Sequence, residues 1–361
     1  VNRNVLSRRG VAGLALAAAA AIALAGCGSN TPSTSSSSAA DPIAGVKAEL
    51  KASGASFPDA FYQEVIAELK TKAPDLKITY NPVGSGTGKK EFGSGLVDFA
   101  GTDSTVKDTD GIDKTKTPFY YIPTVAAPIT ISYNLPGVDN LQLSPDTLAK
   151  IFQRDIKTWN DAAIAADNPG VTLPSTAISV AHRSDGSGTT NNFTKFLVAA
   201  APSTWKLASG DTVNWPADTL GGAKNAGVAA LVKQTAGTVG YVDMADATAA
   251  KLQTAAIKNK DGKFVKASLE GATAALAGAT IKDDLTYDPI NAAGATTYPI
   301  TAPTYLLVKE KYDSADKAKA VKELVKWILG SDGSALAKET SFATLPDALK
   351  TKALAQLDKV S

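Results

Sequence analysis

Residues 127–133 read Ala127-Pro128-Ile129-Thr130-Ile131-Ser132-Tyr133, and residues 304–308 read Thr304-Tyr305-Leu306-Leu307-Val308. Both runs are rich in β-branched and aromatic residues, which predicts strands. About 170 residues with helix and strand patterns of their own lie between them, enough for a second domain. We therefore expect two lobes, with the chain crossing out near Ile129 and back near Ile300. Residues 46–129 and 299–361 would form lobe I, and residues 130–298 lobe II. Working outward, Leu76-Lys77-Ile78-Thr79-Tyr80 alternates like a strand, and Asp59 to Lys72 places Phe61, Val65, Ile66 and Leu69 on one helical face. From Val46 onward such segments alternate, the pattern of an α/β protein with largely parallel sheets.

The chain has 361 residues, 44% hydrophobic and 20% charged, so it is too apolar to be disordered. Its formal net charge is +2, and the three basic residues before Cys27 (Arg3, Arg8 and Arg9) leave 34 against 35 acidic ones in the remainder. That balance lacks the basic footprint of a nucleic-acid binder. One cysteine excludes intrachain disulfides, and one histidine argues against an imidazole-based metal site, so neither metal nor cofactor is expected.

Residues 1–26 carry those three arginines, then an apolar run from Val11 to Gly26, and no acidic residue, the layout of a secretory signal. The run has 16 residues, short of the roughly 20 a helix needs to span a bilayer. It ends in Leu24-Ala25-Gly26-Cys27, which resembles the bacterial lipoprotein signal. That resemblance implies cleavage before Cys27, a diacylglyceryl group on its sulfur, and an acyl chain such as palmitate on its amino group. Residues 27–45 include Ser33-Thr34-Ser35-Ser36-Ser37-Ser38 and read as a flexible tether. The expected location is a cell membrane, with the body held by lipid on its extracytoplasmic face.

Three short loops each precede a predicted helix: Gly54-Ala55-Ser56-Phe57-Pro58, Gly84-Ser85-Gly86-Thr87-Gly88 and Asp185-Gly186-Ser187-Gly188-Thr189. Pro58 suits the first helical position, where its missing N–H costs nothing. The first N–H groups of a helix lack internal partners and carry partial positive charge, so an anion is stabilised there. Glycines let the main chain approach closely, and Ser and Thr hydroxyls add short donors. Converging, the three ends would make a socket for a tetrahedral oxyanion. A nucleotide P-loop would need Gly at Val83 and Ser or Thr at Lys90, so the second loop is not one.

Arg183 is read as the strong cation near a candidate loop, its fork matched to two oxygens of a tetrahedral anion, with Asp185 to hold it. Asp103 repels a bare anion but accepts a hydrogen bond from a protonated one, so it would select phosphate over sulfate. An extracellular phosphoesterase with Ser56, Ser85 or Ser187 as nucleophile is the rival of another class. The lone His182, beside Arg183, makes a poor general base for it.

At these residues the chain resembles the phosphate-binding proteins of bacterial high-affinity phosphate ABC transporters, in their lipoprotein form. The likeness runs from about Ser53 to Leu349 and includes Val97-Asp98-Phe99-Ala100-Gly101-Thr102-Asp103, Trp159-Asn160-Asp161, Arg183-Ser184-Asp185-Gly186-Ser187-Gly188-Thr189, Gly237-Thr238-Val239-Gly240-Tyr241 and Tyr298-Pro299-Ile300-Thr301. It implies a type II periplasmic-binding-protein fold, an α/β architecture of two mixed sheets flanked by helices, with the ligand cleft between lobes. It implies no enzyme. By positional match, phosphate would meet Ser56, Phe57, Ser85, Asp103, Arg183, Ser187, Gly188 and Thr189. Ser56 stands where many members have Thr, and Gly86-Thr87-Gly88 departs from a more usual Ser-Gly-Gly, so Thr87 is left outside the set. The implied partners are inorganic phosphate and permease subunits with their cytoplasmic ATPase; a monomer is expected. Another tetrahedral oxyanion is the rival within the class.

Overall fold

The computed structural model describes residues 42–361. The export segment, Cys27 and the Ser-rich run lie outside the described residues. The strands are β1 (Ala48–Gly54), β2 (Leu76–Asn81), β3 (Phe99–Thr102), β4 (Phe119–Tyr133), β5 (Gln142–Leu143), β6 (Ser179–Arg183), β7 (Leu220–Gly222), β8 (Thr238–Asp243), β9 (Gln253–Thr254), β10 (Ala256–Lys258), β11 (Phe264–Val265), β12 (Thr301–Lys309) and β13 (Ala343–Thr344). The helices are α1 (Asp59–Lys72), α2 (Ser85–Gly93), α3 (Pro145–Phe152), α4 (Ala162–Asp167), α5 (Gly188–Ala200), α6 (Lys224–Gln234), α7 (Met244–Ala249), α8 (Leu269–Ala277), α9 (Ala315–Leu329), α10 (Ser331–Glu339) and α11 (Asp347–Leu357). Among the described residues no helix is long and apolar enough to cross a membrane.

The helix expected over Asp59 to Lys72 forms over that span, burying Phe61, Tyr62, Val65 and Leu69, while Ile66 stays half-buried. Pro58 sits one position earlier than expected, at the N-cap, where its carbonyl accepts from the Tyr62 N–H at 2.9 Å. Serine or aspartate caps α3, α4, α5, α7, α8 and α9, each side chain accepting from an otherwise orphaned N–H.

Pairing is mixed rather than largely parallel. β1, β2 and β3 run parallel, as do β6, β7 and β8, but β12 and β4 enter antiparallel between the two groups. The order is β2-β1-β3-β12-β4-β8-β6-β7, with β13 and β9 also on β4 and a separate β11-β10-β5 sheet. Alternation of apolar residues registers which face is buried and says nothing of strand direction.

β4 belongs to both halves of this path. Its residues up to Pro128 pair with β12, and from Ile129 onward they pair with β8. At the change of partner the Ile129 N–H donates to the Ile300 carbonyl at 2.8 Å, and the buried Tyr298 hydroxyl donates to the Ile129 carbonyl at 2.9 Å. One apolar core runs from Ile43 to Val360, with a smaller cluster of Ala181, Val228, Ala229, Val232, Val242 and Ala247 between α6 and its sheet. The β4–β12 ladder slips at Thr304, which pairs with Val125 while Tyr305 pairs with Pro123; Thr124 is the extra residue.

Candidate functional site

Loops one and two are locked together by glycine. Gly54 ends β1 at φ +143°, and a Cβ there would lie 2.1 Å from the Gly101 carbonyl oxygen. A Cβ on Gly88 of α2 would lie 2.3 Å from the Gly54 Cα, and the Gly84 N–H donates to the Gly54 carbonyl at 2.8 Å. Only hydrogen at these positions lets the two helix N-termini, α1 and α2, come this close. Ser56 is buried at the first terminus. Phe57 sends its ring into the core, edge-on to Phe342 at 5.8 Å, leaving its main chain beside Ser56.

Ser85, fully buried, opens α2. Its Oγ accepts from the Asp103 N–H at 3.2 Å and lies 3.4 Å from Asp103 Oδ2, to which it donates. Asp103 follows β3 directly and is 2% exposed. Its other oxygen, Oδ1, accepts from the Thr304 hydroxyl of β12 at 2.7 Å. Burial pushes the Asp103 carboxyl up to about 7, against the opposing pull of the Thr304 hydrogen bond and the Arg183 charge; the Asp211 carboxylate adds to the rise.

Arg183 ends β6 and is 4% exposed. Its Nε donates to Asp185 Oδ1 at 2.7 Å, Nη2 donates to Asp185 Oδ2, and Nη1 donates to Asn225 Oδ1 at 3.3 Å. Burial raises the Asp185 carboxyl, but the Arg183 hydrogen bonds and charge outweigh it and hold the group below the usual carboxylate range. Ser187 caps α5, its Oγ accepting from the Thr190 N–H at 3.1 Å, and Gly188 and Thr189 open the helix.

These elements meet. The Gly86 N–H donates to the Gly186 carbonyl at 3.0 Å, and Asn192 Nδ2 donates to the Asp103 carbonyl at 2.6 Å. A Cβ on Gly188 would lie 2.6 Å from both the Asp103 Cβ and the Ser85 Oγ. Ser56, Ser85, Asp103, Arg183, Gly188 and Thr189 therefore occupy one small region, with the buried Ser187 capping α5 beside Gly188. Chemically the region offers three helix N-termini, hydroxyls, a bidentate-capable guanidinium and one carboxyl that titrates near neutrality. Thr87 is exposed, on the side of α2 away from the buried Ser85.

Four participants escape the loop pattern. Asn225, fully buried at the start of α6, donates through Nδ2 to Thr189 Oγ1 at 3.1 Å, and its N–H donates to Ser56 Oγ at 3.3 Å. Thr304 and Asn192 hold Asp103 from β12 and α5. Lys89 is a second strong cation beside a candidate loop, which corrects the assignment of that role to Arg183 alone; its side chain is 0% exposed and ion-paired to Asp110 and Asp211. Helical rotation turns Lys89 inward one turn after Ser85 and leaves Lys90 exposed.

His182 is half-buried, stacked on Trp215 with ring centroids 5.0 Å apart, and Nδ1 donates to the Arg183 carbonyl at 2.9 Å. Burial lowers its pKa, and its ring packs against indole rather than against a serine hydroxyl.

A family model described as a PBP superfamily domain matches residues 31–332. The phosphate-binding protein PstS of Methanocaldococcus jannaschii is 39% identical over 306 residues, 78% of each chain. Phosphate-binding protein PstS 3 of Mycobacterium leprae is 33% identical over 326 residues, 87% of this chain and 88% of its own. Among solved structures, a phosphate-binding protein from Stenotrophomonas maltophilia superposes with a TM-score of 0.67 at 22% identity, covering 85% of this chain and 93% of that one. A high-affinity periplasmic phosphate-binding protein solved with phosphate gives a TM-score of 0.71 at 23% identity over the same shares. The chain belongs to the PBP superfamily and, within it, to the family of PstS phosphate-binding proteins.

Proposed function

We propose that the chain binds inorganic phosphate at the site around Asp103 and Arg183 and delivers it to an ABC-type importer, without catalysing a reaction. The observation that carries this reading is the Asp103 carboxyl. It is buried among donors, anchored at Oδ1 by Thr304, and leaves Oδ2 beside Ser85. An anion site containing a carboxyl favours an anion that brings its own proton, and phosphate near neutral pH does. The relatives named above as phosphate-binding proteins support the same ligand.

In this reading residues 46–129 and 299–361 form one lobe and 130–298 the other, hinged where β4 changes partner. Ser56, Phe57, Ser85 and Asp103 would hold phosphate from the first lobe, and Arg183, Ser187, Gly188 and Thr189 from the second. The anion would bridge them and shift the open–closed equilibrium, which permease subunits with a cytoplasmic ATPase recognise. A monomer tethered by lipid on Cys27 to the extracytoplasmic membrane face completes the proposal. The test is calorimetric titration of purified protein with phosphate in the presence of sulfate. Tight phosphate binding that a large sulfate excess does not displace is expected; displacement by sulfate at comparable concentration would overturn the reading.

A further inference from the structure

We infer that Lys89 and Asp211 are positioning residues that hold the anion site shut without touching the anion, an inference that rests on the phosphate-binding reading and adds a closing contact to it. Lys89 Nζ donates to Asp110 Oδ2 at 2.8 Å, to Ser104 Oγ at 3.2 Å and pairs with Asp211 Oδ2 at 2.8 Å. An ammonium has three protons, so every donor is used. Asp211, in the segment between α5 and β7, is equally committed. Its Oδ2 also accepts from Ser104 Oγ at 3.0 Å, Oδ1 accepts from Asn191 Nδ2 at 2.9 Å, and its main-chain carbonyl accepts from the Ser187 N–H at 2.9 Å.

The pair thus ties α2 and the residue after Asp103 to the N-cap of α5. Asp110 and Ser104 come from the same half as Lys89, whereas Asp211 comes from the other. A fully buried ammonium is stable only when it is paired and hydrogen-bonded. Parting the halves would hydrate Lys89 and Asp211; bringing them together desolvates both and completes the bonding in one step. The contact therefore biases the closed arrangement whatever anion is present. Residues that act in this way scale the affinity for every anion by the same factor, through the fraction of molecules able to close. Asp103, by contrast, acts on one anion relative to another.

The experiment is a double-mutant cycle on the full chain with Lys89→Met, Asp211→Asn and the pair, and with the exposed Lys90→Met as control. Calorimetry measures phosphate affinity and sulfate discrimination, and small-angle scattering measures the radius of gyration without phosphate. Each single variant should weaken phosphate roughly tenfold or more, the double should lose no more than the worse single, and the anion-free particle should expand; at pH 9, where Asp103 is ionised with or without the Asp211 charge, discrimination against sulfate should stay as in the parent. Multiplicative losses in the double, altered discrimination at that pH, or parental affinity and compactness would each overturn the inference. Lys89→Gln, which keeps two donors, replaces Lys89→Met if the latter does not fold. A parent chain that binds no phosphate would sink the functional reading alone, since the scattering comparison tests the tie independently.

Discussion

The Thr304 hydroxyl donates to Asp103 Oδ1 at 2.7 Å, joining the middle of β12 to the residue just beyond β3. Tyr305 pairs with Thr102 across the antiparallel β3–β12 ladder, so Thr304 stands opposite Asp103. The bulge at Thr124 falls at the same level, where the Tyr62 hydroxyl hydrogen-bonds to Thr124 Oγ1 at 2.9 Å. Asp103 is therefore held by packed strands rather than by a loop. Thr304→Val removes a bond that favours the ionised carboxyl, so the Asp103 pKa should climb further above about 7. Phosphate affinity should fall by about 1–3 kcal/mol, the cost of leaving a buried acceptor unpaired. Calorimetry across pH should show the variant's binding profile displaced towards alkaline pH and Thr304→Ser restoring the parent profile.

The position of the Asp103 titration near neutrality gives a second outcome. An ionised Asp103 only accepts, so sulfate finds no donor there; a protonated Asp103 donates, and sulfate becomes tolerable. Sulfate competition should strengthen as pH falls from 8 to 5 through the carboxyl's value of about 7, and Asp103→Asn, which carries a donor at every pH, should bind sulfate with little pH dependence. The same shift acts on stability. A carboxyl raised from 3.8 to about 7 stabilises the anion-free fold most below 3.8, and that contribution is lost as pH rises through about 7. Melting curves without anion should lose more stability over that window in the parent than in Asp103→Asn.

The fold was legible where short-range patterns carry it. Asp59 to Lys72 forms the expected helix, and the strands at 127–133 and 304–308 are parts of β4 and β12. The first two Gly and hydroxyl loops announce themselves because φ values of +143° at Gly54 and +91° at Gly84 demand glycine locally, and the third because Gly188 approaches Asp103 and Ser85 too closely for a Cβ. Asn225 and Thr304 carry no such mark. Each is a single polar residue on an ordinary element, and its role exists only once α6 lies against loop three or β12 against β3. Strand direction and the burial of Lys89 were hidden for the same reason, being set by distant partners rather than by neighbouring residues.

Gly188 tests whether closure or chemistry limits binding. A Cβ there would come within 2.6 Å of the Asp103 Cβ and the Ser85 Oγ, and Asp103 is fixed by Thr304 and Asn192, so little room can open. Gly188→Ala should suit helix α5, where alanine is the better helix former. It should nevertheless cost phosphate affinity by roughly tenfold to a hundredfold, the 1–3 kcal/mol typical of overpacking. Thermal shift assays should show the anion-free variant melting near the parent and a phosphate-induced rise that is largely gone. A parental rise would mean that the close approach of α5 to Asp103 is not needed for binding.

Asn225 separates hydrogen bonding from charge. Its side chain accepts from Arg183 at 3.3 Å and donates to Thr189 Oγ1 at 3.1 Å, so Asn225→Ala strands a guanidinium donor and frees the Thr189 hydroxyl. A loss of roughly five- to thirtyfold in phosphate affinity is expected, about 1–2 kcal/mol. Asn225→Asp keeps the shape and would grip Arg183 more firmly, but it adds a second carboxylate to a guanidinium already paired with Asp185. The site would then neutralise its own cation and repel the incoming anion, and low dielectric magnifies that repulsion. The aspartate variant should therefore bind phosphate more weakly than the alanine variant, and the gap should narrow at acid pH as the new carboxyl protonates. Calorimetry of the two variants at pH 5 and pH 8 decides it: if the aspartate variant binds as tightly as the parent at pH 8, Arg183 does not face the anion.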